Sequence, residues 1–382
     1  MSRPSSLTAS IGLLVLLGLF GLLAFATATH AQEPAEGSPE EGSYEVFADG
    51  LDNPRGLAFG PEGALYVAEA GRGGGDSCMD GPEGGAVCLG MTGAITRVWR
   101  GEQLQVITGL PSIAAQGDEE TPAGSSAGGP HDIAFQGRGN AVVVIGLGAD
   151  PAIRETLGDD GYHLGHIIQI PASSRWQSVA DIAGYESEAN PDEGIVDSNP
   201  YSVLAEPGGL VATDAGGNSL LRVDANGDIS TLAVFPDRMV GAPPFLGLPP
   251  ESEIPMQSVP TSVVVGPDGA YYVGELTGFP FEVGGARVYR IEEGGEPEVY
   301  AEGFTNIIDI AFNENGELLV LEIATNGLLA EDMAGALKAE DGTVIADGLI
   351  MPGGLAVGPD GAYYVSNCGV CAGEGEVLRI EP

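Results

Sequence analysis

The sequence predicts an all-β chain assembled from repeats, and three observations carry that prediction. A phrase recurs: Asn53-Pro54-Arg55-Gly56-Leu57-Ala58-Phe59-Gly60-Pro61-Glu62-Gly63-Ala64-Leu65-Tyr66-Val67-Ala68-Glu69 returns in kind at 259–275 and at 351–367, with weaker copies beginning at Gly129, Asn199 and Asn306. Self-similarity at a period of a few tens of residues marks a repeat architecture. The chain holds 61 Gly and 27 Pro, far too many turn formers for a helical protein. Between Gly-Pro-Asp-Gly turns lie short runs of Val, Ile, Leu and Tyr, as strands require.

Each repeat follows one plan. A first strand, such as 56–59, meets a Pro-Glu-Gly turn, and a second strand, 64–68, follows. Proline pre-sets the first turn angle and glycine accepts positive φ, so the turn closes a tight hairpin. A variable loop then leads to a second hairpin, as at 94–99 with 104–108 around Arg100-Gly101-Glu102, at 220–232, and at 287–291 with 297–300. Four strands per unit, repeated radially, make a β-propeller blade. First strands start near Pro54, Pro130, Pro200, Pro260, Ile307 and Pro352, which gives six blades. The last unit holds three strands, 355–357, 362–365 and 376–380. Residues 44–48 supply the fourth, since Asp49-Gly50-Leu51 matches Asp347-Gly348-Leu349 behind the outer strand of blade five. Pairing the termini would close the ring and remove exposed sheet edges.

The ends set the compartment. Residues 1–31 read as a secretory signal: Arg3 at the start, an apolar run over 11–25, and small residues before a cut after Ala31. The run is short for a membrane span, so no stable anchor is expected after cleavage. Residues 32–43, rich in Glu, Pro, Gly and Ser, read as a disordered linker, and 44–382 as the propeller. An exported, secreted or periplasmic chain should carry its four cysteines as disulfides. Local pairs, Cys78–Cys88 and Cys368–Cys371, are favoured, with cross-blade pairing open. The Cys-Gly-Val-Cys run lacks the βαβ context of a redox pair.

With 14 Lys and Arg against 55 Asp and Glu, the formal charge is −41. Such a surface repels nucleic acid and anionic lipid. It suits cations or simple solubility. The partner expected is a small molecule or a protein, and the chain is read as a monomer. No phosphate loop, dinucleotide fingerprint or zinc-protease helix appears, so no nucleotide or flavin is expected. The Gly124–Gly128 string matches a hydrolase elbow by letter only, without the strand and helix around it.

Candidate site residues follow from the repeat. The residue that ends the second strand is Glu69, Glu275, Glu322 or Asn367, and Asp214 if one residue is deleted, while blade two has Ile145 there. In an antiparallel hairpin that position lies beside the start of the first strand. Asn53, Arg55, Asn199, Tyr201, Thr261, Asn306 and Asp309 are therefore expected on the same rim as ligand-binding candidates, with His131 and Asp132 as a candidate catalytic pair. Two readings of Glu69, Asp214, Glu275, Glu322 and Asn367 stand side by side. They cap backbone N–H groups, or they share calcium or another divalent cation, which takes six to eight oxygen ligands. His163 and His166 offer a second pair of imidazoles in blade two, and His30 falls in the signal.

The same residues resemble the ScyD/ScyE family, exported proteins among the NHL-type and SMP-30-like six-bladed propellers. The matching strings are GPHDIAFQGRGN at 129–140, VDSNPY at 196–201, DAGGNSLLRVD at 214–224, VPTS at 259–262 and FTNIIDIAF at 304–312. The resemblance implies the fold and an extracytoplasmic location, and names no reaction. Three functions are carried forward. One is a ligand-binding or scaffold module. Another is a metal-dependent hydrolase or lyase of the lactonase type, by analogy with SMP-30-like propellers that hold a metal near the channel. The last is an accessory role in exported aromatic-metabolite (scytonemin-like) synthesis, implied by the family name.

Overall fold

A computed structural model describes residues 44–382 apart from 82–84, 119–120, 138 and 172–174. The signal and linker readings lie outside the described residues. Six four-stranded antiparallel units form the six blades of a propeller. Their innermost strands are Pro54–Phe59, Pro130–Gln136, Pro200–Glu206, Pro260–Val265, Ile307–Phe312 and Gly354–Val357. The last blade is closed from the other terminus: Tyr44–Asp52 pairs with Ala372–Ile380, from Tyr44 opposite Ile380 to Asp52 opposite Ala372.

Apolar residues alternate along the strands and are buried between blades. Six buried clusters lie one at each seam. At the seam between blades six and one, Leu51, Leu57, Val67, Val98, Tyr364 and Val377 pack together. The fold therefore rests on neighbour-to-neighbour burial around a ring, which closure completes.

The recurring turn explains its own spelling. Tyr66, Tyr272 and Tyr364 lie flat against Gly60, Gly266 and Gly358. A Cβ there would stand 2.7, 2.2 and 2.5 Å from the tyrosine Cε2. Each phenol donates to the turn acid four residues back: Glu62 at 2.5 Å, Asp268 at 3.4 Å and Asp360 at 3.2 Å. The string Gly-Pro-Asp/Glu-Gly-Ala-x-Tyr is one packed hairpin end.

Strand extends beyond the spans that the repeat predicts. Blade one's outer hairpin runs over Ala86–Trp99 and Glu102–Ala115, and Cys78–Asp80 adds an edge strand. Cys78 sits opposite Cys88 in that pairing, and the two are bridged, as are Cys368 and Cys371. Residues 236–257 contain a hairpin, Arg238–Gly241 with Glu253–Met256. These strands are irregular in composition, so periodicity did not reveal them. Pairing with a neighbour decides their state. No helix among the described residues is long and apolar enough to cross a membrane.

Candidate functional site

The residues ending the second strands share one structural job. Glu69 Oε2 accepts from Asp52 N at 2.8 Å, and Glu322 Oε1 from Thr305 N at 2.9 Å. Asn367 Oδ1 accepts from Ile350 N at 2.7 Å, and Glu275 Oε2 from Ser258 Oγ at 2.6 Å. In all four the partner stands 17 residues upstream. Asp214, one deletion short, reaches Ser198 Oγ at a separation of 16 and also takes Asn199 N at 2.7 Å. That upstream point is where one blade's outer strand ends and the chain crosses to the next, so its N–H and hydroxyl groups need partners beyond the ladder. A buried donor without a partner is costly, and these side chains supply the partner.

Their remaining oxygens are also taken. Arg238 pairs with Glu275, Lys338 Nζ lies 2.7 Å from Glu322, and Thr96 and Gln105 donate to Glu69. The five sit in five blades and do not converge on a shared cation. Among the described residues no group of three or more His, Cys, Asp or Glu is placed to hold a metal ion.

The asparagines are structural as well. Asn53 and Asn306 have φ of 49° and 46°, and Val259 and Met351 at the same repeat position have 57° and 38°. The chain turns left-handed just before the first strand, a conformation asparagine tolerates. Asn53 Nδ2 donates to Gly71 O and Gly124 O, Asn306 Nδ2 to Leu276 O, and Asn199 Oδ1 accepts from Leu147 N.

The residue after the position that opens each inner strand, a proline in five of the six blades, behaves differently. In blade order it is Arg55, His131, Tyr201, Thr261, Ile308 and Gly353. Thr261 Oγ1 is spent on Ile307 O at 2.8 Å. Arg55, His131 and Tyr201 gather where the inner strands of blades one to three begin, at 3, 3 and 9% exposure. Arg55 Nη1 reaches Tyr201 Oη at 3.4 Å and Nη2 donates to Ala127 O at 3.0 Å. Residues 121–128 thus lie over the guanidinium, held also by Ser126 N on Val370 O at 3.0 Å. The His131 ring packs against Tyr201, tilted by 41° with centroids 4.8 Å apart. Its other face meets Gly146, where a Cβ would come within 2.0 Å of the ring.

His131 Nδ1 is 3.1 Å from Pro200 O. A carbonyl only accepts, so Nδ1 carries the proton and Nε2 keeps its lone pair. Burial, and then the Arg55 charge, hold His131 down at about 3. It is a neutral imidazole at any ordinary pH. Burial pushes the Tyr201 phenol up, partly offset by Arg55.

Next along the strands stand Asp132 and Asp309, the third residues of theirs. Asp132 Oδ2 takes Val203 N at 2.9 Å and Ser202 Oγ at 3.0 Å, and Asp309 Oδ2 takes Leu355 N at 2.7 Å. Each reaches the inner strand of the following blade. Burial lifts Asp132 to about 6. Burial and the Asp132 charge lift Asp309 well above the carboxylate range. Asp132 is therefore a blade tie in the channel wall; no hydrogen bond joins it to His131. Gly56 makes room for it, since a Cβ there would sit 2.2 Å from Asp132 Oδ1.

His163 and His166 belong elsewhere. They pack with Tyr162 and Trp176, and His166 faces Ser178 Oγ at 2.7 Å and Asp181 at 3.3 Å. Sequence reasoning missed Arg238 and Lys338 as partners of the second-strand acids. The available signal was scarcity: with 14 basic residues in 382, each invites the question of which acid it serves.

No family model matches the chain, and no curated protein does. Solved structures do. A protein of unknown function from Bacteroides thetaiotaomicron is 10% identical over 88% of this chain and 75% of its own, with a TM-score of 0.52. An oxidoreductase assigned as a glucose dehydrogenase, from Thermus thermophilus, is 18% identical over 89% and 99%, at 0.50. A gluconolactonase from Xanthomonas campestris is 10% identical over 91% and 96%, at 0.50. The chain is a six-bladed propeller similar in fold to the SMP-30/gluconolactonase-like group. At these identities the likeness carries the fold and no activity.

Proposed function

We propose that the chain is an exported propeller of the ScyD/ScyE kind that binds a small molecule bearing a carboxylate or comparable anion at the channel mouth, through Arg55, His131 and Tyr201. One observation carries the reading. Arg55 is buried in a chain of formal charge −41, yet it forms no ion pair among the described residues, and its Nε has no hydrogen-bond partner. Its two acceptors are neutral oxygens. A buried, unpaired guanidinium costs several kcal/mol, and an anionic ligand would offset that cost with a bidentate contact. Export rests on residues 1–31 and is compatible with the two disulfides.

The test is a thermal-shift and calorimetric screen with aliphatic, sugar-derived and aromatic carboxylates beside the matching neutral amides. Saturable binding of a carboxylate and not its amide, lost in Arg55→Ala, supports the reading. Equal behaviour of acid and amide across the screen sinks it.

A second reading, hydrolysis or elimination on a lactone or ester, is favoured by the fixed His131 tautomer. A neutral imidazole with a free Nε2 can hold an attacking water by accepting its hydrogen bond, and Arg55 can stabilise the oxyanion that forms on the attacked carbonyl. Turnover of lactones that Arg55→Ala and His131→Ala both abolish would establish it. Binding without turnover would leave the ligand-binding module. The accessory role in aromatic-metabolite synthesis rests on the family resemblance alone, and an aromatic carboxylate as the tightest ligand would support it.

A further inference from the structure

One arginine breaks a pattern that its counterparts in other blades keep. Three residues before the second strand ends, the partner across the ladder is arginine in four blades: Arg97 opposite Tyr66, Arg222 opposite Val211, Arg290 opposite Tyr272 and Arg379 opposite Tyr364. Three of the four are ion-paired. Arg290 Nε lies 2.7 Å from Asp268, Arg379 Nη2 2.8 Å from Asp360, and Arg222 Nη1 3.1 Å from Glu293. Arg97 forms no ion pair among the described residues, and its Nε is buried without a hydrogen-bond partner.

The turn before Tyr66 explains the exception. In blades four and six the turn acid is aspartate, which stays 3.4 and 3.2 Å from its tyrosine and serves the arginine. Blade one has glutamate there. One methylene longer, Glu62 reaches the Tyr66 phenol at 2.5 Å. Burial, and then Glu62, push that phenol up to about 12, so it keeps its proton and goes on donating. Arg97 acts on the same phenol, which is neutral, and no carboxylate answers its charge.

Arg97 lines a cavity of about 780 Å³ at the seam of blades one and two. Ile107, Phe135 and Ile170 are among its apolar walls. Arg175, from the turn between His166–Ile170 and Gln177–Asp181 of blade two, lines it from the other side. Arg175 too forms no ion pair among the described residues. Two neighbouring blades thus bring an unanswered guanidinium each to one apolar space, in a chain with only 14 basic residues. Glu62 shares the rim, with its carboxylate engaged by the phenol. A space of about 300–1,000 Å³ takes a small organic ligand.

We propose that this seam cavity is a second ligand site, for an organic acid with an apolar body. Arg97 and Arg175 hold the carboxylate, and Ile107, Phe135 and Ile170 cover the body. Guanidinium forks match a carboxylate in shape as well as charge. A small anion such as acetate would leave the walls wet, and a neutral apolar molecule would leave the half-buried Arg97 without a counter-ion. The site stands at the hairpin-turn end of the strands, whereas Arg55 stands where the inner strands begin. It does not depend on the ligand proposed for Arg55.

The experiment is calorimetry on the purified chain with two acids, octanoate for an alkyl body and 1-naphthoate for an aryl one. Their amides and acetate are the controls. At least one acid should bind saturably, with its amide and acetate at least about tenfold weaker, one factor of ten being a modest ion contact. Arg97→Gln should weaken that acid at least about tenfold and melt with the parent, since it breaks no ion pair. Should Arg97→Gln fail to fold, Arg175→Gln, at an exposed residue, must show the same loss. Arg55→Ala should leave this binding in place. Failure of both acids to bind overturns the proposal, as does equal affinity for acid and amide or for acid and acetate. Binding that Arg55→Ala removes, and that the Arg97 and Arg175 variants keep, also overturns it and assigns the acid to the strand-start site instead.

Discussion

Two positions of the same repeat have opposite fates. At the end of the second strand, five of the six blades carry a carboxylate or amide, and in all five it caps the crossover upstream. At the residue after the one that opens the first strand the six blades carry six different residues, of which Arg55, His131 and Tyr201 meet. The difference teaches how to read a repeat protein. A residue type that recurs does work that every blade needs, which is structural. A residue that appears once does work that the molecule needs once.

The comparison can be broken first at ring closure. Deleting Tyr44–Asp52 removes the outer strand of blade six and the N–H that Glu69 caps. It exposes a sheet edge and opens the seam around Leu51. We expect insoluble or aggregating protein, checked by light scattering. A soluble chain that melts with the parent would show that closure does not hold the ring.

The next largest effect belongs to the recurring position. Glu322→Ala leaves Thr305 N and Lys338 without their partner in a buried place. Stability should fall by about 3 kcal/mol, the usual cost of breaking a buried pair from one side. The denaturant midpoint would measure it, and affinity for a channel ligand should not change. A variant that keeps its stability but loses the ligand would reverse the assignment of the two positions.

Much of this was legible in the sequence because it follows from periodicity. Blade number, first-strand starts, closure by the N-terminal strand and local disulfides all come from spacing. The position that ends the second strand was legible too, down to the single deletion at Asp214, while its work as a cap shows only in the hydrogen bonds. What spacing could not give was the direction of a side chain. Asn53 and Thr261 share the rim with Arg55, yet Asn53 serves a left-handed turn and Thr261 a neighbouring strand. The outer hairpin of blade one ran on past its expected ends for a related reason. Edge pairing depends on a neighbour, which the local sequence does not contain.

The pH profile tests the buried acids as a group. Asp132 and Asp214 are held near 6 by burial, and Asp309 is raised further. A raised carboxyl binds its proton more tightly folded than unfolded. Stability is therefore lost as pH rises from the unfolded value near 4 through the folded one. His131, lowered to about 3, acts oppositely and costs stability as pH falls below 6.5. Three carboxyls outweigh one imidazole, so the melting temperature should be highest near pH 5 and fall by several degrees toward pH 8. A flat or rising profile would mean that these groups are solvated. Asp132→Asn sharpens the point, because it keeps an acceptor for Val203 N but cannot ionise. It should cost about 1 kcal/mol at pH 5, where a donor–acceptor pattern is disturbed. At pH 8 that cost should vanish or change sign.

The smallest stability change should come from the position that occurs once. Tyr201→Phe removes a hydroxyl whose contact with Arg55, at 3.4 Å, is long and poorly placed to contribute much. The ring keeps its contact with His131, so packing is retained. About 0.5 kcal/mol, the low end for a neutral hydrogen bond, is the expected loss of stability. Binding should respond more strongly. Tyr201 Oη accepts from Arg55, so its own hydrogen is free to donate to a bound anion, and the phenylalanine variant lacks that donor. A carboxylate ligand should then bind several-fold more weakly by calorimetry, while the melting temperature of the free protein barely moves. If stability drops as far as in Glu322→Ala and affinity holds, Tyr201 is one more structural tie, and the distinction between recurring and unique positions fails at the residue where it matters most.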